Sequence, residues 1–458
     1  MRRRYALAVD LTASLTALCH ARRQPSLSGA LAIDGSIVWT GAVGNADPLG
    51  PARAPDADTQ YRIASITKPQ VAVAVCALAD AGAVDLHRPL ATWVPDAPTG
   101  AATVAQFLAH TSGLPAEPPG PWWERAGGPT WEALLAARIT PLFAPGTRFH
   151  YSNLAYGVLG RLLETVTGED WDSALAHLVR GPLGMTRTAR TPEPGHAVGV
   201  GVHPRADLVH PEPVPAYLAL GAAGELWSTP SDLVRFGSFL AGAIPGVLRP
   251  STRAAVLRPI AWPDVAGEPY ATAHGLGVMV SNDGGQRTYG HAGSVPGFTA
   301  DLRVDAERRL AVAACGNATT PFGGVMGLLD AVRATRPEPE LPPVGDETAE
   351  ELCGLWYWGT REHVLATPAP GRLLLVGPDG KGASTFALDA DGYGDGDADT
   401  WVGDGGDYFH GERLRVIRDA GGRVHALDVA TFCFTRTPYD PAVDLPGGGD
   451  PDGWRPSS

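Results

Sequence analysis

The stretch Tyr61–Gln70 reads YRIASITKPQ, and its serine and lysine organise the reading of the whole chain. Ser65 is followed three residues later by Lys68, one of only two lysines among 36 basic residues; the other is Lys381. Arginine stays protonated under biological conditions, whereas burial and neighbours can tune a lysine into a proton acceptor. A serine hydroxyl is a poor nucleophile until such a base takes its proton. The following run QVAVAVCALADAG is apolar, of helical length and closed by Gly82, so it predicts a helix. Pro69 is tolerated only near a helix start, which sets Ser65 at the N-terminus with Lys68 one turn on, on the same face. Free N–H groups and the dipole at that end favour developing negative charge. Lys381, in PDGKGAS, has turn surroundings where a solvated lysine is expected.

At 458 residues the chain is long enough for more than one domain and a sizeable core. Its net charge is −13, spread along the sequence, and no basic patch points to nucleic acid or an anionic membrane. Cys19, Cys76, Cys315, Cys353 and Cys433 lack metal-ligand spacing, so no metal is expected. Their odd number fits free thiols in a reducing compartment better than a disulfide framework. The N-terminus MRRRYALAVDLTASLTALCHARRQ begins like a signal peptide, but Asp10 interrupts its apolar region and no small-residue cleavage site follows. An amphipathic helix and a cytoplasmic location are expected. No later segment is long and apolar enough to span a membrane.

LSGALAIDGSIVWTGAVG reads as a hairpin turning at Asp34-Gly35. From Ser65 to about Ala241 the pattern is mainly helical, in segments such as AYGVLGRLLETVTG and SDLVRFGSFLAG. Strand patterns return at HGLGVMVSNDGGQRTYGHAG, FTADLRV and RLAVAACGN, before a helix FGGVMGLLDAVRA. Strands near both ends with helices between predict one antiparallel sheet assembled from the two ends, with a helical insertion. The proline-rich stretch TRPEPELPPVGDE is expected to be a linker, giving domains at 1–334 and 347–445, a linker at 335–346 and a flexible tail at 446–458. Beyond the linker, GLWYWG, RLLLVG, RLRVIRD and RVHALDVATFCFTRT predict a small antiparallel barrel. DADGYGDGDADT invites a calcium reading, but the loop glycine and closing glutamate are missing, so solvated turns are expected.

A Ser–Lys pair needs a relay group, substrate-positioning groups and an oxyanion hole before it can transfer acyl groups. Of eleven tyrosines, only Tyr151 begins a Tyr-x-Asn triplet, Tyr151-Ser152-Asn153, between the loop FAPGTRFH and a helix. A phenol beside an ammonium is expected to ionise more easily and pass protons to and from the serine. Asn153 can donate to and accept from a substrate amide. In YGHAGSVPG, His291 and Gly293 precede a predicted strand, and Gly293 lets a substrate approach the backbone closely. The N–H groups of Ser65 and Ser294 are then the expected oxyanion hole.

Ser-x-x-Lys, Tyr-x-Asn and His-x-Gly in this order resemble the serine penicillin-recognising family, in the branch of class C β-lactamases and related D,D-peptidases. HTSGLP (His110–Pro115), PLGM (Pro182–Met185) and GELWSTPSDLVRF (Gly224–Phe236) agree, and the likeness covers roughly Leu15 to Ala334. It implies an α+β fold, a β-lactamase-like antiparallel sheet flanked by helices with a helical subdomain. It also implies Ser65 as the acylated nucleophile, Lys68 and Tyr151 as its activators, Asn153 and His291 as substrate-positioning groups, and no cofactor. β-Lactamases of this branch usually carry Lys-Thr-Gly where this chain has His291-Ala292-Gly293, which argues against strong β-lactamase activity. Glu225 stands where many relatives have a second glycine; its carboxylate either holds an incoming ammonium or is simply exposed.

The C-terminal region, opening LCGLWYWG and closing TFCFTRTPYDP, resembles the lipocalin-like module of actinobacterial serine hydrolases. Among these are penicillin-binding-protein-type thioesterases of nonribosomal peptide pathways, of the surugamide-cyclase kind. The resemblance implies a serine acyltransferase that takes a peptidyl thioester, handed over by a peptidyl carrier protein, and closes it head to tail by macrolactamisation. On that reading PPGPWWERAGGPTW (Pro118–Trp131) lines a peptide groove and Arg455 in the tail approaches the site. The alternative is a cytosolic hydrolase of the same superfamily: an esterase, D-aminopeptidase or D,D-carboxypeptidase. No Gly-x-Ser-x-Gly occurs, which argues against an α/β-hydrolase esterase. A non-catalytic binding protein on this scaffold is disfavoured by the presence of Ser65, Lys68 and Tyr151 together.

Overall fold

A computed structural model describes residues 10–283, 286–320, 323, 325–335, 347–377, 383–388, 400–405 and 408–446. The expected linker (apart from Thr335), Lys381, the aspartate-rich turn up to Asp399 and the tail beyond Pro446, with Arg455, lie outside the described residues. The chain divides into two compact units, Met1–Pro337 and Glu338–Ser458.

The first unit is built on a seven-stranded antiparallel sheet. Its spatial order is Ser36–Gly44, Ser26–Ile33, Leu310–Gly316, Phe298–Asp305, Gln286–Val295, Met279–Asp283 and Thr272–His274. The N-terminal hairpin therefore joins a strand that lies some 280 residues downstream, with Leu27 opposite Gly316 and Ile33 opposite Leu310. Asp34 and Gly35 turn the hairpin at φ 49° and 79°, the two positive angles that a tight two-residue turn requires. One face of the sheet is covered by Leu11–Ala21, which buries Leu11, Leu15 and Cys19, and by Val325–Thr335. The other face packs on Pro230–Leu240, capped by the Thr229 hydroxyl, and on the main helical core. No described helix is long and apolar enough to cross a membrane.

The helix Thr67–Asp80 runs through that core with Val71 to Cys76 fully buried, and ends before Gly82 at φ 78°. It is entered through a single 3₁₀ turn, Ala64–Ile66. Ser152 caps the helix Asn153–Thr167 by accepting from the Ala155 N–H at 3.0 Å. This cap explains why Tyr151 stands immediately outside a helix, where its side chain can face a neighbouring element.

The second unit holds a closed eight-stranded antiparallel barrel. It runs in chain order from Gly354–Trp358 to Phe432–Thr435, and the last strand pairs back to the first at Tyr357↔Thr435. This is the curled all-β architecture expected of a lipocalin-like domain. Alternation explains its inside: in RLRVIR, Leu414 and Val416 are buried while Arg415 and Ile417 face out. Trp356, Leu373, Phe386, Trp401, Leu427 and Phe434 fill the interior.

Candidate active site

Ser65 sits in the 3₁₀ turn, and the residue before it, Ala64, holds the left-handed φ of 48° that L-residues rarely adopt. Thr67 Oγ1 donates to the Ala64 carbonyl at 2.7 Å and fixes this entry to the helix. Lys68 is completely buried, and its Nζ donates to Ser65 Oγ at 2.9 Å and to the Ala223 carbonyl at 2.6 Å. The amine also lies 5.0 Å from the centre of the Tyr151 ring. Burial lowers the Lys68 pKa to about 7, against the opposing pull of Glu117 and Glu124. At neutral pH a large fraction of this lysine is therefore a neutral amine beside a hydroxyl.

The Tyr151 phenol differs from the expectation of easy ionisation. Burial raises its pKa well above the usual phenol range, and a hydrogen bond with Ser65 only partly offsets this. With Lys68 substantially uncharged, there is little ammonium field to stabilise a phenolate, so the phenol stays protonated.

The strand Gln286–Val295 pairs on one side with Met279–Asp283 only as far as Gly290. Beyond that point the edge faces the serine turn: a Cβ on Gly293 would stand 2.1 Å from the Ile63 carbonyl oxygen and 3.1 Å from Ala64 Cβ. Gly293 thus permits the closest approach of strand and turn. Ser294, opposite Thr299 in the sheet, comes with it and is exposed. His291 is buried, its Nδ1 2.5 Å from the Ala292 carbonyl, and its ring centre is 6.1 Å from that of Tyr151. Asn153 Nδ2 donates to Glu117 Oε1 at 2.6 Å, while Trp123 Nε1 donates to Glu117 Oε2 at 2.8 Å. Asn153 is thereby oriented by an acidic group that the sequence did not single out.

Glu225 needs correcting. It is neither exposed nor open to an incoming ammonium: it is buried, with Oε2 accepting from Arg190 Nε at 2.9 Å and Oε1 from the Tyr217 N–H at 2.8 Å. Both oxygens are engaged inside the fold, so this carboxylate has a structural partner in the place assigned to substrate.

Two histidines join the site unannounced. His110 stacks on Tyr151 with ring centres 4.2 Å apart, and His274 stands edge-on to His110 at 5.3 Å and 6.0 Å from Tyr151. Burial lowers the pKa of both, to about 4 for His274, and well below the usual histidine value for His110 and His291. Tyr151 is therefore surrounded by three neutral imidazoles. His110 was visible in HTSGLP but carried no signal of its own; His274 lies 209 residues from Ser65 and has no motif around it.

Residues 11–335 match the Beta-lactamase family, and this chain belongs to it, placing it in the superfamily of β-lactamase-like and penicillin-binding-protein-like serine hydrolases. Residues 345–436 match a domain of unknown function, DUF7586. The D-alanyl-D-alanine-carboxypeptidase/endopeptidase AmpH of Escherichia coli is 32% identical over 197 residues, 40% of this chain and 49% of that protein. The chain thus spans about half the length of such a curated relative. The D-amino acid amidase of Ochrobactrum anthropi SV3, solved with D-phenylalanine, is 26% identical with a TM-score of 0.62, over 72% of this chain and all of that one. The crystal structure of SurE is 25% identical with a TM-score of 0.59, over 93% of this chain and 98% of that one.

Proposed function

We propose that this protein is a serine acyltransferase that takes a peptide from a carrier-protein thioester onto Ser65 and releases it by head-to-tail macrolactamisation. The observation that carries the acyl-enzyme is the completely buried Lys68 amine, 2.9 Å from Ser65 Oγ. Neutral Lys68 takes the Ser65 proton as Oγ attacks the thioester carbon. The Ser65 and Ser294 N–H groups face the resulting oxyanion. Collapse breaks the carbon–sulfur bond; Tyr151 protonates the leaving thiolate and recovers its proton from Lys68. An amine then attacks the ester carbon, and its proton returns through the same groups to Ser65 Oγ. The helix Asn153–Thr167 supplies Asn153 to the peptide amide. The likeness to SurE covers 93% of this chain, more than the first unit alone.

A second reading, hydrolysis of D-residue amides or peptides, is favoured by the names of AmpH and the D-amino acid amidase. In that case water replaces the amine at an unchanged acyl-enzyme. A synthetic peptidyl thioester ending in a D-residue separates the two by mass spectrometry: cyclic peptide is expected, and linear acid alone across several peptides rejects the cyclase reading. A fluorophosphonate probe is expected to label Ser65 and not Ser65→Ala.

A further inference from the structure

His291 can be assigned a direction of hydrogen bonding from its contacts alone. Its Nδ1 faces the Ala292 carbonyl at 2.5 Å, and a carbonyl only accepts, so Nδ1 carries the proton. Nε2 is then a lone pair, and it is buried without a partner among the described residues. An unsatisfied buried acceptor costs roughly 1–3 kcal/mol, which a ligand N–H can recover. Burial also keeps the ring neutral, so it offers an acceptor and no positive charge.

The charges around this lone pair point the same way. Glu117 and Glu124 are the charged groups acting most strongly on the Lys68 amine. The cations that act on His291 are held by other partners: Lys68 Nζ donates to Ser65 Oγ and the Ala223 carbonyl, and Arg303 pairs with Asp301 at 3.0 Å. A carboxylate arriving beside Tyr151 meets an imidazole lone pair and two acidic side chains. A neutral amine meets an acceptor for one of its N–H bonds.

From this geometry we infer that His291 is the specificity-determining seat for the acyl acceptor, selecting an amine whose own carboxyl group is amidated over one bearing a free carboxylate. The inference rests on the acyl-enzyme reading above. In the step it describes, the amine lone pair forms the new bond to the acyl carbon while one N–H bonds to His291 Nε2. Neutral Lys68 takes the other amine proton. The acyl-carbon–Oγ bond breaks, and that proton ends on Ser65 Oγ. No co-reactant is needed. The N-terminal residue of a linear peptide meets this requirement, because its carboxyl group is already an amide; a free amino acid does not.

The test is a partition experiment with the N-acetylcysteamine thioester of N-acetyl-D-phenylalanine. Thiol release reports acylation, and alaninamide and alanine compete as acceptors. Transfer to alaninamide at least tenfold above transfer to alanine is expected. His291→Gln, which retains a neutral acceptor oxygen, keeps most of that ratio, whereas His291→Lys shrinks it to threefold or less. Equal transfer to the two acceptors in the natural protein overturns the inference. So does an unchanged ratio in a folded His291→Lys protein, or thiol release with only hydrolysis. The last outcome leaves the Ser65 acyl-enzyme standing. Thiol release no faster than in Ser65→Ala removes the acyl-enzyme reading for this donor and the inference with it.

Discussion

Two buried regions of this chain handle polarity in opposite ways. The barrel interior is filled by Trp356, Leu373, Phe386, Trp401, Leu414 and Phe434, and the Trp356 indole N–H donates to the Leu352 carbonyl at 2.8 Å. Among the described residues of the barrel, no buried side-chain polar atom lacks a hydrogen-bond partner. Around Ser65 the reverse holds: His110 Nε2, His274 Nδ1 and His291 Nε2 are all buried and unpartnered, beside a buried lysine and a strained Ala64. Unpaired buried polar groups and left-handed φ angles each cost of order 1–3 kcal/mol and persist where function requires them. The barrel is arranged for stability, and the serine turn gives some stability up for reactivity.

The contrast is tested most severely by Lys68→Arg. Arginine keeps the charge and cannot act as a base, so fluorophosphonate labelling of Ser65 is expected to slow by about 10³-fold or more, with an unchanged circular dichroism spectrum. Near-normal labelling would contradict the base role. In the barrel, Trp356→Ala removes the largest enclosed side chain and is expected to cost about 3–5 kcal/mol. Denaturant unfolding should then show the second unit melting earlier while Ser65 labelling persists; loss of both together would mean that the two units are not independent.

The pH response sharpens the same point. Because the active form of Lys68 is deprotonated and its pKa is about 7, labelling should rise roughly tenfold per unit below pH 7 and level off above it. Stability follows by linkage: between about 7 and the ordinary lysine value near 10.5, the unfolded chain binds the proton and the folded one does not. Stability of the first unit should therefore rise with pH across that window, and Lys68→Met should abolish this slope. The smallest effect belongs to a position remote from either region. Gly35→Ala forces a side chain into φ 79° in the hairpin turn, an expected loss of about 1 kcal/mol in thermal unfolding, with labelling unchanged.

Local order in the sequence made much of this legible. Ser65 lies in the 3₁₀ turn that leads directly into the helix of Lys68, one turn ahead of it, so their spacing alone brings them together, and capping by Ser152 places Tyr151 at a helix mouth. The barrel follows from alternation within each short strand, as in Arg413–Arg418. What stayed hidden depends on partners far along the chain. Glu225 looked available until Arg190, 35 residues earlier, took its carboxylate. A neighbouring charge in the sequence predicts easy ionisation of Tyr151, yet burial outweighs that neighbour.

The sequence by itself determined the sheet's hairpin turn, the nucleophile helix with its Ser–Lys pair and the division into a helix-rich and a strand-rich part, because periodicity, turn residues and caps act over a few positions. Only the tertiary structure decided which groups titrate, which nitrogen of His291 carries a proton and which imidazoles enclose the phenol. Desolvation and hydrogen-bond direction are properties of the packed surroundings, and those are assembled here from segments as distant as His110, Tyr151, His274 and His291.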